Sequence, residues 1–284
     1  MSTRIVFGTL ALPDAPLGFE LLDRFREAGG RALDLANVYR EGASQKIVGA
    51  WLDERGVRDD MVVYAKGCHP PACGPKHVRN EVETVRRAAR LERIDVFLLH
   101  RDDPTFSVAA WAEALLAEVA AGRIGAFGVS NWTLERTREL HDHLADRAQG
   151  GLTAFSNHFS LAEMGEPPWP GCLATARSEL PVLAELRLEL LAWSSTAIGY
   201  FAGRDSPSWA SLENEARRAR AGELAGRLGA TANAVALAYV LHQPEHVRPV
   251  VGTGSIAHLD QALGAAQLAL AGADLDWLES GASA

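Results

Sequence analysis

The 284-residue sequence reads as a (β/α)8 barrel, the TIM barrel, built as one domain over residues 1–284. Three observations carry that reading. Short β-branched runs alternate with longer amphipathic stretches from end to end, as parallel strands joined by helical crossovers do. Eight such units fill a length close to the roughly 250 residues of a typical closed barrel. No Pro/Gly/Ser-rich linker divides the chain, and the GxGxxG turn of a doubly wound nucleotide sheet is missing after the first strand.

The elements come in order. RIVFGT at 4–9 is strand one, followed by the helical pattern GFELLDRFREAG. RALDLA at 31–36 leads to QKIVGAWLDERG, and MVVYAK at 61–66 leads to HVRNEVETVRRAARL. IDVFLLH at 94–100 precedes VAAWAEALLAEVAAG; IGAFGVS at 124–130 and TAFSN at 153–157 are strands five and six. LELLAWS at 188–194 and VRPVVG at 247–252 complete the set, with ANAVALAYVLHQ at 232–243 reading as a packed helix before the last strand. Two Gly/Pro/aromatic-rich segments, 158–172 and 195–209, break the rhythm. They come after strands six and seven, on the side where such barrels build their sites.

Composition narrows the function. Hydrophobic residues make up 48% and charged residues 23%, which excludes a disordered or low-complexity chain. The formal charge of -8 argues against nucleic acid or an anionic membrane as partner, leaving room only for a local basic pocket. No apolar run approaches the ~20 residues of a membrane span, and no cleavage site follows the short N-terminal apolar run. Cys68, Cys73 and Cys172 are too few for a disulfide framework, and the spacing of Cys68 and Cys73 lacks further partners for a metal. The expectation is a cytoplasmic protein with no metal, acting on a small molecule, of undetermined oligomeric state.

Ionisable groups stand at three strand ends: Asp34 with Tyr39 beyond it, Lys66, and His100. A barrel brings these ends to one face. Taken singly, Asp34 also reads as a helix cap, Lys66 as a solvated lysine and His100 as a core histidine. Together they describe a chemistry. A phenol, with a reference pKa of about 10, is a weak acid at neutral pH, and an adjacent ammonium favours its phenolate. Lys66 would supply that charge and Asp34 would hold Lys66 charged and in place. A neutral His100 would orient a carbonyl oxygen. This set suits carbonyl reduction, with hydride drawn from a cofactor because no side chain provides it.

The motifs LDLANVYREGASQKIVG, VVYAKG, DVFLLHRDDP, GRIGAFGVSN and VVGTGSIAHLDQAL resemble, in order and spacing along the barrel, those of the aldo-keto reductase family. The resemblance implies that Asp34, Tyr39, Lys66 and His100 form the catalytic tetrad, Tyr39 being the general acid in reduction and the base in oxidation. It implies an extended nicotinamide cofactor across the barrel mouth. Ser130, Asn131 and Asn157 would hold the carboxamide, Trp193 would stack on the ring, and Gly8, Thr9 and Leu10 would line that end. Ser194, Ser195, Gly252, Gly254, Ser255, His258 and Gln261 would meet the pyrophosphate and adenosine half. Leu10, Cys68, His69, Arg101, Trp132 and Trp169 would surround the substrate.

The chain departs from the family pattern in places. Asn157 stands for a common Gln, Trp193 for a Tyr, Leu35 for a Thr and Gln45 for a Glu. The floor hairpin and the long C-terminal tail of larger relatives are expected to be absent. Gly252 and His258 replace the two basic residues that often pair with a 2′-phosphate, while Thr253, Ser255 and a helix N-terminus still suit an anion. NADP(H) is therefore expected over NAD(H) by a reduced margin, larger at mildly acidic pH where a histidine carries charge. The main expectation is an oxidoreductase interconverting an aldehyde or ketone with an alcohol. The alternatives are a nicotinamide-binding sensor or regulatory subunit on the same barrel, and an aldolase using Lys66 as a Schiff base.

Overall fold

The computed structural model describes residues 3–145 and 151–282. Its centre is a closed parallel barrel of β1 (Val6–Gly8), β2 (Ala32–Ala36), β3 (Val62–Gly67), β4 (Ile94–Leu99), β5 (Ile124–Ser130), β6 (Leu152–Ser156), β7 (Glu189–Ala192) and β8 (Val247–Val251). Each strand pairs with the next, and β8 closes on β1 through Val6↔Val250 and Phe7↔Val251. The expected (β/α)8 barrel is therefore present, with β5 as expected, β3 and β6 shifted by one residue, and the other strands shortened by one to three residues. One shift has consequences: strand six ends at Ser156, so Asn157 lies beyond it.

The crossovers are α1 (Leu17–Glu27), α2 (Ala43–Arg55), α3 (Val78–Ala88), α4 (Val108–Ala120), α5 (Leu134–Ala145), α6 (Leu180–Glu185), and the pair α7 (Leu212–Leu228) and α8 (Ala232–Leu241) before β8. Then α9 (Ile256–Ala265) and α10 (Gly272–Ser280) complete the chain. Among the described residues no single helix is long and apolar enough to cross a membrane. The apolar stripe of α8 is buried from Ala234 to Leu241, which accounts for its composition. α10 packs on α7, where Arg220 donates to the carbonyls of Leu278 and Glu279 and Arg227 lies over the Trp277 ring.

Side chains alternate along each strand, and this period of two sorts the protein into layers. Outward residues such as Phe7, Leu33, Val63, Phe97, Phe127, Phe155 and Leu190 join the large core between barrel and helices. Inward residues Val6, Ala32, Tyr64, Leu98, Ala154, Leu191 and Val250 form a second cluster filling the barrel. One inward step below, Arg248 donates to Tyr64 (3.0 Å) and Glu189 (3.3 Å), and Tyr64 donates to Glu189, closing the floor from within. One inward step above the apolar layer stand Gly8, Asp34, Lys66, His100, Ser156, Trp193 and Gly252. The polar side chains of this layer are thus carried on top of a packed apolar plug.

Close approach between the outer helices depends on Gly49 in α2. A Cβ there would lie 2.5 Å from the Ala89 carbonyl carbon, where backbone leaves no room to yield. Gly49→Ala is expected to cost about 1–3 kcal/mol as an overpacking defect, lowering Tm by several degrees. Thermal unfolding measures this, and ligand binding at the distant mouth should persist below the transition.

Candidate active site

The site begins with Lys66 and Asp34, both almost fully buried and joined by a direct ion pair. Tyr39 completes the group: Lys66 Nζ donates to its hydroxyl at 3.2 Å, and that hydroxyl lies 3.3 Å from Asp34 Oδ2. The register between β2 and β3 sets Ala36 beside Lys66, and the amide of Asn37 donates to the Lys66 carbonyl at 3.0 Å. His100 stands at the end of β4, its ring edge-to-face with Tyr39 at 6.0 Å between centroids. All four expected catalytic side chains are therefore neighbours.

Electrostatics divides their roles. Burial disfavours the charge on Lys66, but Asp34 and the contact with Tyr39 outweigh it and raise its pKa. Burial, then Lys66, Arg101 and His69, depress His100 well below the usual histidine value, so it is neutral. Its buried Nδ1 has no partner among the described residues. The Tyr39 phenol is pushed up to about 12, first by burial and then by the negative charge of Asp34, with Lys66 opposing both. The expected influence of Lys66 has the right sign but loses to desolvation. Tyr39 is held as the neutral phenol, a proton donor.

The loops are pinned to keep this geometry. Tyr39 is followed by Arg40 and Glu41, both left-handed with φ of 48° and 55°. Such conformations cost of order 1 kcal/mol or more each and persist where the surroundings enforce them. Arg40 supplies that force, reaching Leu12 O and Asp14 Oδ1 in the loop after β1. Glu81 of α3 accepts from Asn37 Nδ2 (2.8 Å) and Cys68 N (3.0 Å), tying the loops that carry Tyr39 and Lys66 together. Gln45 donates to Asn37 at 3.0 Å.

The expected cofactor residues fall into four groups, three of them at the glycines, the α9 N-terminus and the rim. Gly8 and Gly252 face each other on β1 and just beyond β8; a Cβ on Gly252 would come 2.9 Å from the Gly8 carbonyl oxygen, and one on Gly254 3.1 Å from that of Ala11. Ser255 caps α9 by accepting from His258 N, leaving His258 exposed and Gln261 half-buried on the following turn. Leu10 is exposed at the rim, and Trp193 is half-buried, flanked by His158 (5.1 Å) and Trp169 (6.3 Å).

Other residues have their polar atoms committed elsewhere. Thr9 is fully buried, donating through N and Oγ1 to the Asp34 carbonyl, and Ser195 donates to Ala192 O at 2.6 Å. Ser194 sits in a left-handed turn after Trp193. Ser130 donates to Ser156 O at 2.9 Å and accepts from Asn131 Nδ2 at 3.0 Å. Asn157 Oδ1 accepts from Asn131 N at 2.7 Å, and its Nδ2 donates to Trp132 O at 2.9 Å.

Around the mouth, Leu10, His69, Arg101 and Trp169 are accessible, with His69 against His100 at 5.2 Å between rings. Arg101 fastens the Trp169 loop by donating to Cys172 Sγ (3.4 Å) while also donating to the His100 carbonyl (2.9 Å). Two expected pocket residues lie elsewhere. The left-handed turn at Cys68 (φ 61°) sends its thiol into the core between barrel and helices. Trp132 follows the left-handed Asn131 and is fully buried, edge-to-face with Trp111 at 6.2 Å and beneath the Arg136 guanidinium. Sequence reading passed over Ser156, His158 and Glu81. Ser156 was findable, since it stands two residues beyond the inward Ala154.

A closed parallel barrel with a buried lysine–aspartate pair steadying a phenol at its mouth defines a barrel enzyme equipped for proton transfer. The chain belongs to the aldo/keto reductase family, whose model matches residues 4–280. It is 29% identical over 272 residues to a norsolorinic acid reductase of Emericella nidulans, covering 85% of this chain and 66% of that protein, just under two thirds of its length. It is 26% identical over 292 residues to an aryl-alcohol dehydrogenase [NADP(+)] of Phanerodontia chrysosporium, covering 93% and 76%. Among solved structures, an aldo-keto reductase from Klebsiella pneumoniae in complex with NADPH superposes with a TM-score of 0.77 at 24% identity, covering 98% of this chain and 91% of that one. The last likeness is one of fold.

The balance at Tyr39 is testable by ultraviolet titration of phenolate, taken as wild type minus Tyr39→Phe. The wild-type phenol is expected to ionise near pH 12. Asp34→Asn should move ionisation to lower pH by removing a negative neighbour, and Lys66→Met should move it higher by removing the ammonium. Equal titration in all three proteins would contradict the assignment of causes.

Proposed function

We propose that this protein interconverts an aldehyde or ketone with the corresponding alcohol, using NADP(H), on a single barrel unit in the cytoplasm. The observation that carries the reading is the buried Lys66–Asp34 pair within hydrogen-bonding reach of the Tyr39 hydroxyl. The described cysteines are all free thiols, in keeping with a reducing compartment.

The residues at the mouth fit a nicotinamide dinucleotide. Gly8 and Gly252 let the ends of β1 and β8 approach closely with no side chain between them, and Trp193 offers a flat, half-buried ring at the same mouth. Gly8, Leu10 and Trp193 would hold the nicotinamide end, with Ser130 and Asn131 nearby. Ser194, Gly252, Gly254, Ser255, His258 and Gln261 would hold the phosphates and adenosine, where the α9 N-terminus favours an anion. When bound, the dinucleotide supplies the hydride.

The chain's own groups manage the proton. In reduction Tyr39 delivers its hydroxyl proton to the carbonyl oxygen as negative charge grows there, and Lys66 at 3.2 Å stabilises the phenolate left behind. Neutral His100 donates a hydrogen bond that orients the same oxygen. In oxidation the phenolate takes the alcohol proton. Asp34 keeps Lys66 protonated, which argues against Schiff-base chemistry because that requires a free amine. The accessible Leu10, Val38 and Trp169, with the rings of His69 and Trp193, make an apolar and aromatic rim. An aryl aldehyde or aryl alcohol suits that rim, in keeping with the names of the relatives.

Tyr39→Phe is expected to lower the rate of single-turnover NADPH oxidation with an aryl aldehyde by about 100- to 10,000-fold while NADPH affinity holds. Hydride transfer at wild-type speed in that variant would remove Tyr39 from its role. Wild type that binds NADPH tightly but turns over no carbonyl in a broad panel would favour the sensor reading. NADPH should bind more tightly than NADH, and His258→Gln should narrow the difference by a few-fold, as measured by titration calorimetry. Tighter NADH binding in wild type would overturn the choice of cofactor.

A further inference from the structure

The barrel mouth carries a positive charge with no negative partner. Arg101 follows His100 just beyond β4, and its side chain folds back so that Nη1 donates to the His100 carbonyl at 2.9 Å. Nη2 donates to Cys172 Sγ at 3.4 Å. Burial raises the Cys172 thiol above its ordinary pKa despite the pull of Arg101, so that contact is to a neutral group. The residue remains partly exposed, and Gly171, beside its Nε, brings no side chain to cover it.

The carboxylates around it are engaged elsewhere, and among the described residues Arg101 forms no ion pair. Asp102 pairs with Arg136 at 3.1 Å, and Asp103 accepts from Thr105 N (3.0 Å) and Oγ1 (2.6 Å). Asp34 is bound to Lys66, and Glu81 accepts from Asn37 Nδ2 and Cys68 N. Lys66 is therefore balanced by Asp34, whereas Arg101 leaves the mouth locally positive in a chain whose formal charge is -8. The charge reaches the reacting end, since Arg101 joins burial and Lys66 in depressing His100. A guanidinium presents its N–H groups as a planar fork that matches the two oxygens of a carboxylate.

We propose that Arg101 selects substrates bearing a carboxylate: an aldehyde with an aromatic or apolar body, its carbonyl at Tyr39 and His100 and its acid group on Arg101. The proposal rests on the carbonyl-reducing reading above and narrows its substrate class. The body of such a molecule lies against the rim of Leu10, Val38 and Trp169, while the anion meets the cation that the protein leaves unpaired. Arg101 then holds a part of the substrate that does not react, so it contributes equally to ground state and transition state and acts through KM.

The test uses 3- and 4-carboxybenzaldehyde with their methyl esters, which keep the ring and the aldehyde but lose the charge, at pH 7 with NADPH. Wild type should favour at least one acid over its ester by about tenfold or more in kcat/KM, the difference lying in KM. Arg101→Gln should bring that acid-to-ester ratio to about twofold or less, and Arg101→Lys, which keeps the charge but not the fork, should retain part of it. Taking the ratio within each protein cancels any loss from a loosened Trp169 loop. Turnover of acids and esters alike by wild type, with no preference for an acid, would overturn the proposal and leave the reductase reading standing. So would a fall in Arg101→Gln shared equally by acid and ester, which would leave Arg101 as a fastener of the loop. No turnover of any of the four by wild type would overturn the reductase reading and the proposal with it.

Discussion

The rest of the site depends on an ion pair taken out of water. Lys66 and Asp34 lie almost fully buried inside the barrel mouth, where each alone would be costly. Their pairing makes both tolerable, but only if the strands hold them in contact. The β2–β3 register does so, Thr9 and Asn37 bond across the strand ends, and Glu81 clamps the two loops beyond them. The same demand explains the two left-handed residues after Tyr39, since the phenol has to fold back onto the pair. Strain in that loop is offset by the Arg40 contacts to the loop after β1.

The pair also determines what the phenol does. With Lys66 alone, the simple expectation is a lowered phenol pKa. Burial and Asp34 together reverse the outcome, and Tyr39 remains a neutral donor with its ionisation pushed up to about 12. Neutral His100 beside it adds a hydrogen-bonding group without adding a second cation. The neutral phenol thus stands above a packed apolar plug inside the barrel.

Much of this was legible in the sequence because barrels obey simple periodicities. Eight strand runs gave the topology, and ionisable residues at three strand ends gave Asp34, Lys66 and His100. Tyr39 lies on a loop, so no periodicity identifies it; the motif around it did. The two pocket residues found elsewhere share one physical cause. Cys68 and Asn131 turn left-handed directly after strands, and Ser194 does so two residues after one; a left-handed residue redirects the chain beyond it. Cys68 and Trp132 therefore point into the helical layer instead of the pocket. At β6 the strand ends at Ser156, one residue earlier than expected, so Asn157 lies beyond the alternating positions. The floor network of Tyr64, Glu189 and Arg248 was not legible either, since its members are remote in sequence and meet only across the barrel.

The central claim is that Tyr39, steadied by the Lys66–Asp34 pair, releases its proton as the carbonyl is reduced. Single-turnover oxidation of NADPH by an aryl aldehyde, monitored in H2O and in D2O with cofactor bearing hydrogen or deuterium at the transferred position, measures this directly. Slower transfer in D2O that multiplies with the deuterium effect on hydride would show both movements in one rate-limiting step, as the proposed mechanism predicts. A full hydride isotope effect with identical rates in H2O and D2O would contradict it.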